Sequence, residues 1–167
     1  MPVSMHRASV GVYTQMLTAL SAILDRAAAF ADTRKIDPAI MLQTRLYPDM
    51  FPLGRQIQLA TDHAKGATAR LAGIEIPKFP DVETTFDELK ARIARIVEFI
   101  DTADQAAFAG AGDREITLKF GGNEQTMRGD DYLFSNALPN FFFHVTTAYD
   151  ILRHIGLDLG KRDFMGR

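Results

Sequence analysis

The residues of this chain that could do chemistry are its four histidines, because no cysteine is present. Imidazole can exchange a proton near neutral pH and is the commonest protein ligand for a transition metal. His144 and His154 lie ten residues apart, about 15 Å along a helix, so they cannot share one ion. His6 falls in the N-terminal segment, where we expect a solvated side chain. His154 falls at a predicted helix end, where it interacts favourably with the helix dipole.

His144 is the best placed of the four. At roughly 100° per residue it lies about 60° from Phe141, on the flank of a predicted buried helix face. Asn140, four residues earlier, lies on the same side of that helix. On another predicted helix, His63 flanks an alanine face, and Gln56 lies two turns earlier on the same flank. These residues are the candidates for a polar site inside the fold.

Two interpretations of these candidates remain open. In the first, His63, Asn140 and His144 form a degenerate metal site, with a carboxylate such as Asp62 as a further ligand. In the second, His144 is hydrogen-bonded in a partly buried polar pocket and His63 lies on the helix surface. Two histidines on different helices are weak evidence for a metal centre, which favours the second interpretation.

Composition and length exclude several classes of protein. The chain has 167 residues, and 19 basic against 21 acidic residues give a net charge of −2. We therefore expect one domain over 1–167 and exclude a strongly basic nucleic-acid-binding protein. The absence of cysteine excludes thiol nucleophiles, disulfides, zinc fingers and iron–sulfur clusters. No apolar run approaches the ~18 residues of a membrane span and no signal-peptide core is found, so we expect a cytoplasmic protein with no membrane partner.

Apolar residues recur every three or four positions in four long segments, which predicts four amphipathic helices. The predicted helices cover residues 9–32, 52–71, 85–100 and 131–155. Thr85 and Glu88 form a capping box at the start of the third helix. Pro139 is expected to bend or break the last helix near its start. The side chains predicted to share one core are Leu17, Leu20, Leu89, Ile93, Phe134 and Phe141.

Two shorter elements complete the prediction. Asp37 and Pro38 are typical of a helix start, with Asp as the N-cap and Pro at the first helical position. Two alternating runs around Gly121-Gly122 predict a β-hairpin between residues 113 and 129. An isolated hairpin is marginal in water, so this one must lie against the helices. The prediction is an all-α protein, an antiparallel four-helix bundle with a short β-hairpin before the last helix.

Several short motifs, in the same order along nearly the whole chain, resemble a bacterial family of unknown function within the DinB/YfiT-like superfamily. The motifs are Asp49-Met50-Phe51-Pro52-Leu53, Ala64-Lys65-Gly66-Ala67, Arg70-Leu71-Ala72-Gly73, Asn140-Phe141-Phe142-Phe143-His144-Val145, Leu152-Arg153-His154 and Gly160-Lys161-Arg162-Asp163-Phe164. The resemblance implies a bundle of DinB-like type. It also implies kinship with metalloenzymes, some of them thiol-dependent transferases or isomerases. Their divalent metal is held by three histidines, one on the second helix and an HxxxH pair on the fourth.

The chain departs from the pattern that this resemblance implies. The pair on the last helix would be Asn140 and His144, so an amide replaces one imidazole. Asn is a hard oxygen ligand, poorly suited to zinc or nickel compared with imidazole. The usual histidine of the second helix aligns nearer Leu59 than His63. No cofactor is therefore certain, and at most a degenerate site for a divalent transition metal (Zn or Ni) is expected.

Two functions from different classes remain open, and the sequence does not decide whether the protein is an enzyme. One is a bundle without catalysis that binds a small ligand or serves in assembly. The other is a metal-dependent enzyme of transferase or hydrolase type acting on a small molecule, an inference from fold-level resemblance alone.

The run of three phenylalanines bears on assembly. Phe142 and Phe143 point about 100° or more away from Phe141, so the three rings cannot all face one core. A surplus aromatic ring predicts a homodimer interface, unless the hairpin or the C-terminal tail covers it.

Overall fold

The computed structural model describes residues 4–167, which form helices and one β-hairpin. The α-helices are α1 (Met5–Arg34), α2 (Pro38–Leu42), α3 (Leu53–Ala72), α4 (Phe86–Asp101), α5 (Gly129–Tyr132), α6 (Leu138–His154) and α7 (Lys161–Met165). The strands are β1 (Glu115–Phe120) and β2 (Asn123–Arg128). A 3-10 turn covers Gln105–Phe108, and a π-helical segment covers Leu133–Ala137. The prediction of a mostly helical protein with a hairpin before the last helices is confirmed.

The long helices α1, α3, α4 and α6 pack around a shared apolar core. Five of the six predicted core side chains lie in it, each at most 1% exposed: Leu17, Leu20, Leu89, Ile93 and Phe141. Within residues 4–167, no helix combines the length and the apolar character needed to cross a lipid bilayer.

The helix α3 contacts the three other long helices, α1, α4 and α6. Its inner face carries Ala60, Ala64 and Ala67, which are fully buried. Because alanine side chains are small, neighbouring helices can approach the α3 backbone closely. Side chains on the flanks of this face are therefore brought near those of α6 and α4.

The predicted caps are present at the helix ends. The Asp37 carboxylate accepts a hydrogen bond from the backbone N–H of Ala39 at 2.9 Å, which caps α2. Thr85 and Glu88 form the reciprocal capping box of α4. Gly73 ends α3 with a φ of 70°, a left-handed conformation that glycine adopts without a steric penalty.

The hairpin packs against the helical core, as predicted. Gly121 and Gly122 both have positive φ, 53° and 87°, as a two-residue turn of the primed type requires. Ile116 and Leu118 point to one face of β1 and are 3% and 6% exposed. The hairpin therefore stabilises itself by burying alternate side chains of β1.

The helical run over residues 129–154 widens at its middle. The N–H of Leu138 bonds to the carbonyl of Leu133, five residues back, as in a π-helix. Pro139 follows directly, and because it has no N–H it cannot bond to the carbonyl four residues earlier. The expected irregularity at Pro139 is thus a π segment just before it.

The prediction that Phe134 belongs to the core is wrong, since this side chain is 56% exposed. Seven residues separate Phe134 from Phe141, which puts both on one face of a regular α-helix. The π segment adds one residue to the helical turn, which shifts the buried face by one position. Leu133 therefore occupies the buried position and is fully buried. Sequence periodicity could not reveal this change of pitch.

A buried guanidinium joins α4 to α3 and to the extended connector over residues 74–85. Arg92 on α4 is fully buried. Its Nε donates to Thr61 Oγ1 at 2.7 Å, and its Nη2 donates to Asp62 Oδ1 at 2.9 Å; both acceptors are on α3. On the connector, Arg92 pairs with Asp81 at 2.9 Å and with Glu83 at 3.1 Å. The buried charge is therefore surrounded by acceptors.

Two further cations and an amide extend this network. Lys65 pairs with Asp62 at 2.9 Å and is nearly buried. Arg55 pairs with Asp81, and Gln58 donates to Glu83 at 3.0 Å. The connector, which has no regular secondary structure, is thus held to α3 by polar contacts.

We expect Arg92→Ala to lower the free energy of unfolding by about 3–5 kcal/mol, because it empties a fully buried position and leaves the buried Glu83 carboxylate without its cation. Arg7→Ala is the control for loss of an arginine, since Arg7 is exposed near the start of α1 and should change stability by about 0.5 kcal/mol or less. Urea denaturation of both variants measures the difference. Equal stability of the two variants would contradict a central role for Arg92.

Candidate functional site

The structure brings His63 and His144 together. His63 lies on α3 and His144 on α6, and their rings stack with centroids 5.3 Å apart and planes inclined by 17°. His144 is only 8% exposed, and His63 is half-buried. His63 is therefore part of a polar site between the two helices and does not lie on an open helix surface.

Gln56 orients the His144 ring. The Gln56 Nε2 group donates to the backbone carbonyl of Phe51 at 3.0 Å, which directs Oε1 toward His144. The His144 Nδ1 atom lies 2.7 Å from that oxygen. An amide oxygen can only accept, so Nδ1 carries the proton and Nε2 of the neutral ring keeps its lone pair. This hydrogen bond fixes both the tautomer and the orientation of the imidazole.

Burial keeps both imidazoles neutral near pH 7. Desolvation lowers the pKa of His144 to about 4, and the nearby His63 and Arg55 act in the same direction. Desolvation also lowers the pKa of His63, with Arg70 adding to the effect and Asp62 opposing it. The pair therefore offers lone pairs and hydrogen-bond donors, with no positive charge of its own.

Asn140 contributes to a cleft of about 270 Å³ beside His63. The cleft is lined by Leu59, Asp62, His63, Arg70, Leu118, Asn136 and Asn140. The Asn140 Nδ2 group donates to the backbone carbonyl of Asn136 at 2.8 Å, one turn earlier on its own helical run. The amide is thus held against the helix, with its oxygen left to accept hydrogen bonds.

Asp62 lines the same cleft, but its Oδ1 atom is already engaged. Lys65 and Arg92 each place a nitrogen 2.9 Å from it. A carboxylate neutralised by two cations is a weaker metal ligand than a free one. Its main contacts are therefore within the Arg92 network.

The donor set does not fit the three-histidine metal centre that the resemblance implies. Coordination of one ion needs the in-plane lone pairs of the imidazoles to converge at about 2.0–2.1 Å, whereas nearly parallel stacked rings direct theirs side by side. Asn140 supplies an amide at the third position. Over residues 4–167, no group of three or more His, Asp or Glu side chains is arranged to hold a metal.

The other two histidines lie away from this site. The His6 ring packs edge-on against Phe108 with centroids 5.1 Å apart, so the expectation of a solvated side chain is wrong. The physical reason is that α1 begins at Met5, which places His6 within a packed helix. His154 is exposed at the end of α6, as expected.

Sequence reasoning missed Arg70, whose guanidinium lines the cleft. One local signal was available, because glycine in a helix interior is unfavourable by about 1 kcal/mol and therefore needs a reason. A Cβ atom at Gly66 would lie 2.6 Å from Arg70 Nη1. Gly66 therefore makes room for the guanidinium to fold back along α3.

The lowered pKa of His144 predicts a pH dependence of stability. The unfolded chain binds a proton near pH 6.5 and the folded chain only near pH 4, so stability is lost as the pH falls through this window. Between about pH 7 and pH 5 the loss due to His144 should be on the order of 2 kcal/mol. Urea denaturation of the wild type and of His144→Leu at both pH values measures the part of this loss that is due to His144. Parallel losses in the two proteins would contradict the assignment.

The sequence and the fold were compared with those of known proteins. A family model described as "Domain of unknown function (DUF1993)" matches residues 5–165. The chain is 40% identical to a DinB family member protein from Shewanella denitrificans with a 1.83 Å crystal structure. That alignment covers 97% of this chain and 92% of the other, with a TM-score of 0.91. Comparison with curated proteins finds no significant match. The chain thus belongs to the DUF1993 family, and its structure is similar to that of a DinB family member.

Proposed function

We propose that this protein binds a small molecule in the cleft beside His63, within an antiparallel four-helix bundle of DinB-like type whose metal centre is degenerate. The observation that carries the proposal is the neutral His63–His144 pair next to a cleft with amide and apolar walls. Concave sites with a few convergent polar groups and groups of perturbed pKa are the usual places for ligands. The function is ligand binding, with no metal required.

Two contacts support the metal-free form of this proposal. The two imidazoles stack on each other, and the Asn140 amide nitrogen is bonded to a carbonyl of its own helix. Neither arrangement directs the side chains at one point. A vacant metal site would more typically leave its ligands turned toward a common point.

A metal-dependent enzyme of transferase or hydrolase type is the second candidate, and one observation favours it. The bond from His144 Nδ1 to Gln56 leaves Nε2 with a lone pair, as in histidines that ligate a metal or accept a proton. Rotation of the rings out of their stack would be needed to direct both imidazoles at one ion.

Metal affinity separates the two candidates. We expect untagged wild-type protein to bind Zn²⁺ or Ni²⁺ weakly. The Asn140→His variant should bind at least about tenfold more tightly, a gain of ~1.4 kcal/mol in binding free energy. The reason is that an imidazole four residues before His144 lies on the same helical face, beside the cleft that His63 lines. Isothermal titration calorimetry measures both affinities.

The control for this gain is the double variant Asn140→His with His144→Ala, which should return to the weak wild-type affinity. Stoichiometric metal in purified wild-type protein, found by elemental analysis, would favour the enzyme instead. An Asn140→His protein without any gain would show that positions 140 and 144 do not face a common site.

We also propose that the protein is a homodimer that uses the aromatic surface of α6. Phe141 is buried and Phe142 is half-buried, whereas Phe143 is 55% exposed. The hairpin and the C-terminal tail leave this last ring uncovered. A large apolar side chain at the surface is typical of an interface when others lie near it.

Light scattering of purified protein at micromolar concentration should give twice the chain mass of 18.6 kDa. Phe143→Ser should weaken association because it removes the exposed ring. Tyr47→Ser, at a residue 65% exposed in a loop between α2 and α3, is the matched control and should leave the dimer intact. A monomeric wild type would rule out this assembly.

A further inference from the structure

Arg70 brings a positive charge into the cleft that no carboxylate of the described chain pairs with. Its Nη1 donates to Tyr132 Oη at 3.3 Å, and its guanidinium lies 5.9 Å from the centre of the Tyr132 ring. Among residues 4–167 it makes no ion pair. A guanidinium has five N–H donors in a planar fork, so most of them stay available for a ligand.

The other charges near the cleft compensate one another. Asp62 faces the cleft, but its Oδ1 is bound by Lys65 and Arg92. The network around it balances three cations against three carboxylates, namely Arg55, Lys65 and Arg92 with Asp62, Asp81 and Glu83. Burial keeps His63 neutral near pH 7. Arg70 is therefore the uncompensated charge, and the cleft favours an anion.

The position of Arg70 is built into α3. Gly66, one turn earlier, leaves the space that the guanidinium occupies, since a Cβ there would come within 2.6 Å of Nη1. The Tyr132 hydroxyl and ring also contact the guanidinium. A cation held in this way loses little side-chain freedom when a ligand binds, which favours affinity.

The remaining walls indicate what kind of anion would fit. Asn136 and Asn140 offer amide groups, and Leu59 and Leu118 offer apolar surface in the same cleft. The volume of about 270 Å³ lies just below the range of roughly 300–1,000 Å³ that holds drug-sized ligands. The ligand must be small.

We propose that this cleft binds a small organic anion, with its carboxylate paired to the fork of Arg70 and a short apolar group against Leu59 and Leu118. Arginine and carboxylate match as planar, bidentate partners. This inference rests on the proposed function, because it names the ligand class of the same cleft.

Nuclear magnetic resonance titration of ¹⁵N-labelled protein with benzoate tests the proposal, with neutral benzamide and inorganic phosphate as comparison probes. The reporters are the side-chain amides of Asn136 and Asn140 and the backbone amide of Leu118. We expect benzoate to shift these signals with a dissociation constant in the range of ~1 mM or tighter. Benzamide and phosphate should bind more weakly, since one lacks the charge and the other lacks the apolar group.

Arg70→Met should weaken benzoate binding by roughly tenfold or more, and Arg70→Lys should recover part of it, because lysine keeps the charge without the fork. Arg34→Met, at an exposed position on α1, is the matched control for the change of net charge and should leave binding unchanged. The amide spectrum of each variant shows that it is folded.

The outcomes separate this inference from the function on which it rests. If benzoate and benzamide bind equally well and Arg70→Met changes neither, the cleft binds small molecules but the anion proposal is overturned. If phosphate binds as tightly as benzoate, the cleft is an oxyanion site and the proposed apolar contact is overturned. If no probe shifts the reporters, both the anion proposal and the proposed cleft function are overturned.

Discussion

The buried guanidinium of Arg92 constrains how the rest of the structure can be arranged. A charged group without solvent must be surrounded by acceptors, or its desolvation would cost more than its contacts return. The acceptors come from two separate parts of the chain, Thr61 and Asp62 on α3 and Asp81 with Glu83 on the connector. The contacts therefore tie α4, α3 and a segment without secondary structure into one arrangement.

This constraint reaches the candidate site through neighbouring residues of α3. Asp62 is held in the network, and His63 follows it directly, so the rotation of α3 that satisfies Arg92 also directs His63 toward α6. Gln56 lies earlier on α3 and bonds His144 from that helix. The same rotation thus serves the charge network and the histidine pair.

The site combines a neutral pair of imidazoles with a charged side chain. His63 and His144 are desolvated and neutral near pH 7, and their rings stack on each other. Arg70 supplies positive charge beside them. This combination is the basis of our proposal that the cleft binds a small anion.

The π segment before α6 is the second feature that shapes this site. By adding a residue to the repeat, it exposes Phe134 while Leu133 and Phe141 remain buried. Asn136 lies within the segment, and Asn140 follows it by one turn. These two amide side chains, four residues apart, both line the cleft.

Patterns within the sequence were sufficient for the local structure. Apolar residues at intervals of three and four predicted the long helices. Asp37 and Thr85 predicted helix starts, and Gly121-Gly122 predicted the hairpin. The candidates His63, Asn140 and His144 also came from position on a helical face. These features depend on residues within one or two turns of each other, so a single sequence carries them.

The contacts that make the site depend on tertiary structure. The stacking of His63 on His144, the bond from Gln56 to His144 and the partners of Arg92 join residues that are far apart in the chain. Each requires the relative rotation and separation of two helices, which periodicity does not encode. The packing of His6 on Phe108 differs from the sequence prediction because it joins residues far apart in the chain, and the exposure of Phe134 differs because periodicity does not encode the π segment. Sequence alone therefore determined which residues are on a helix face, and the packing of the helices decided which of them meet.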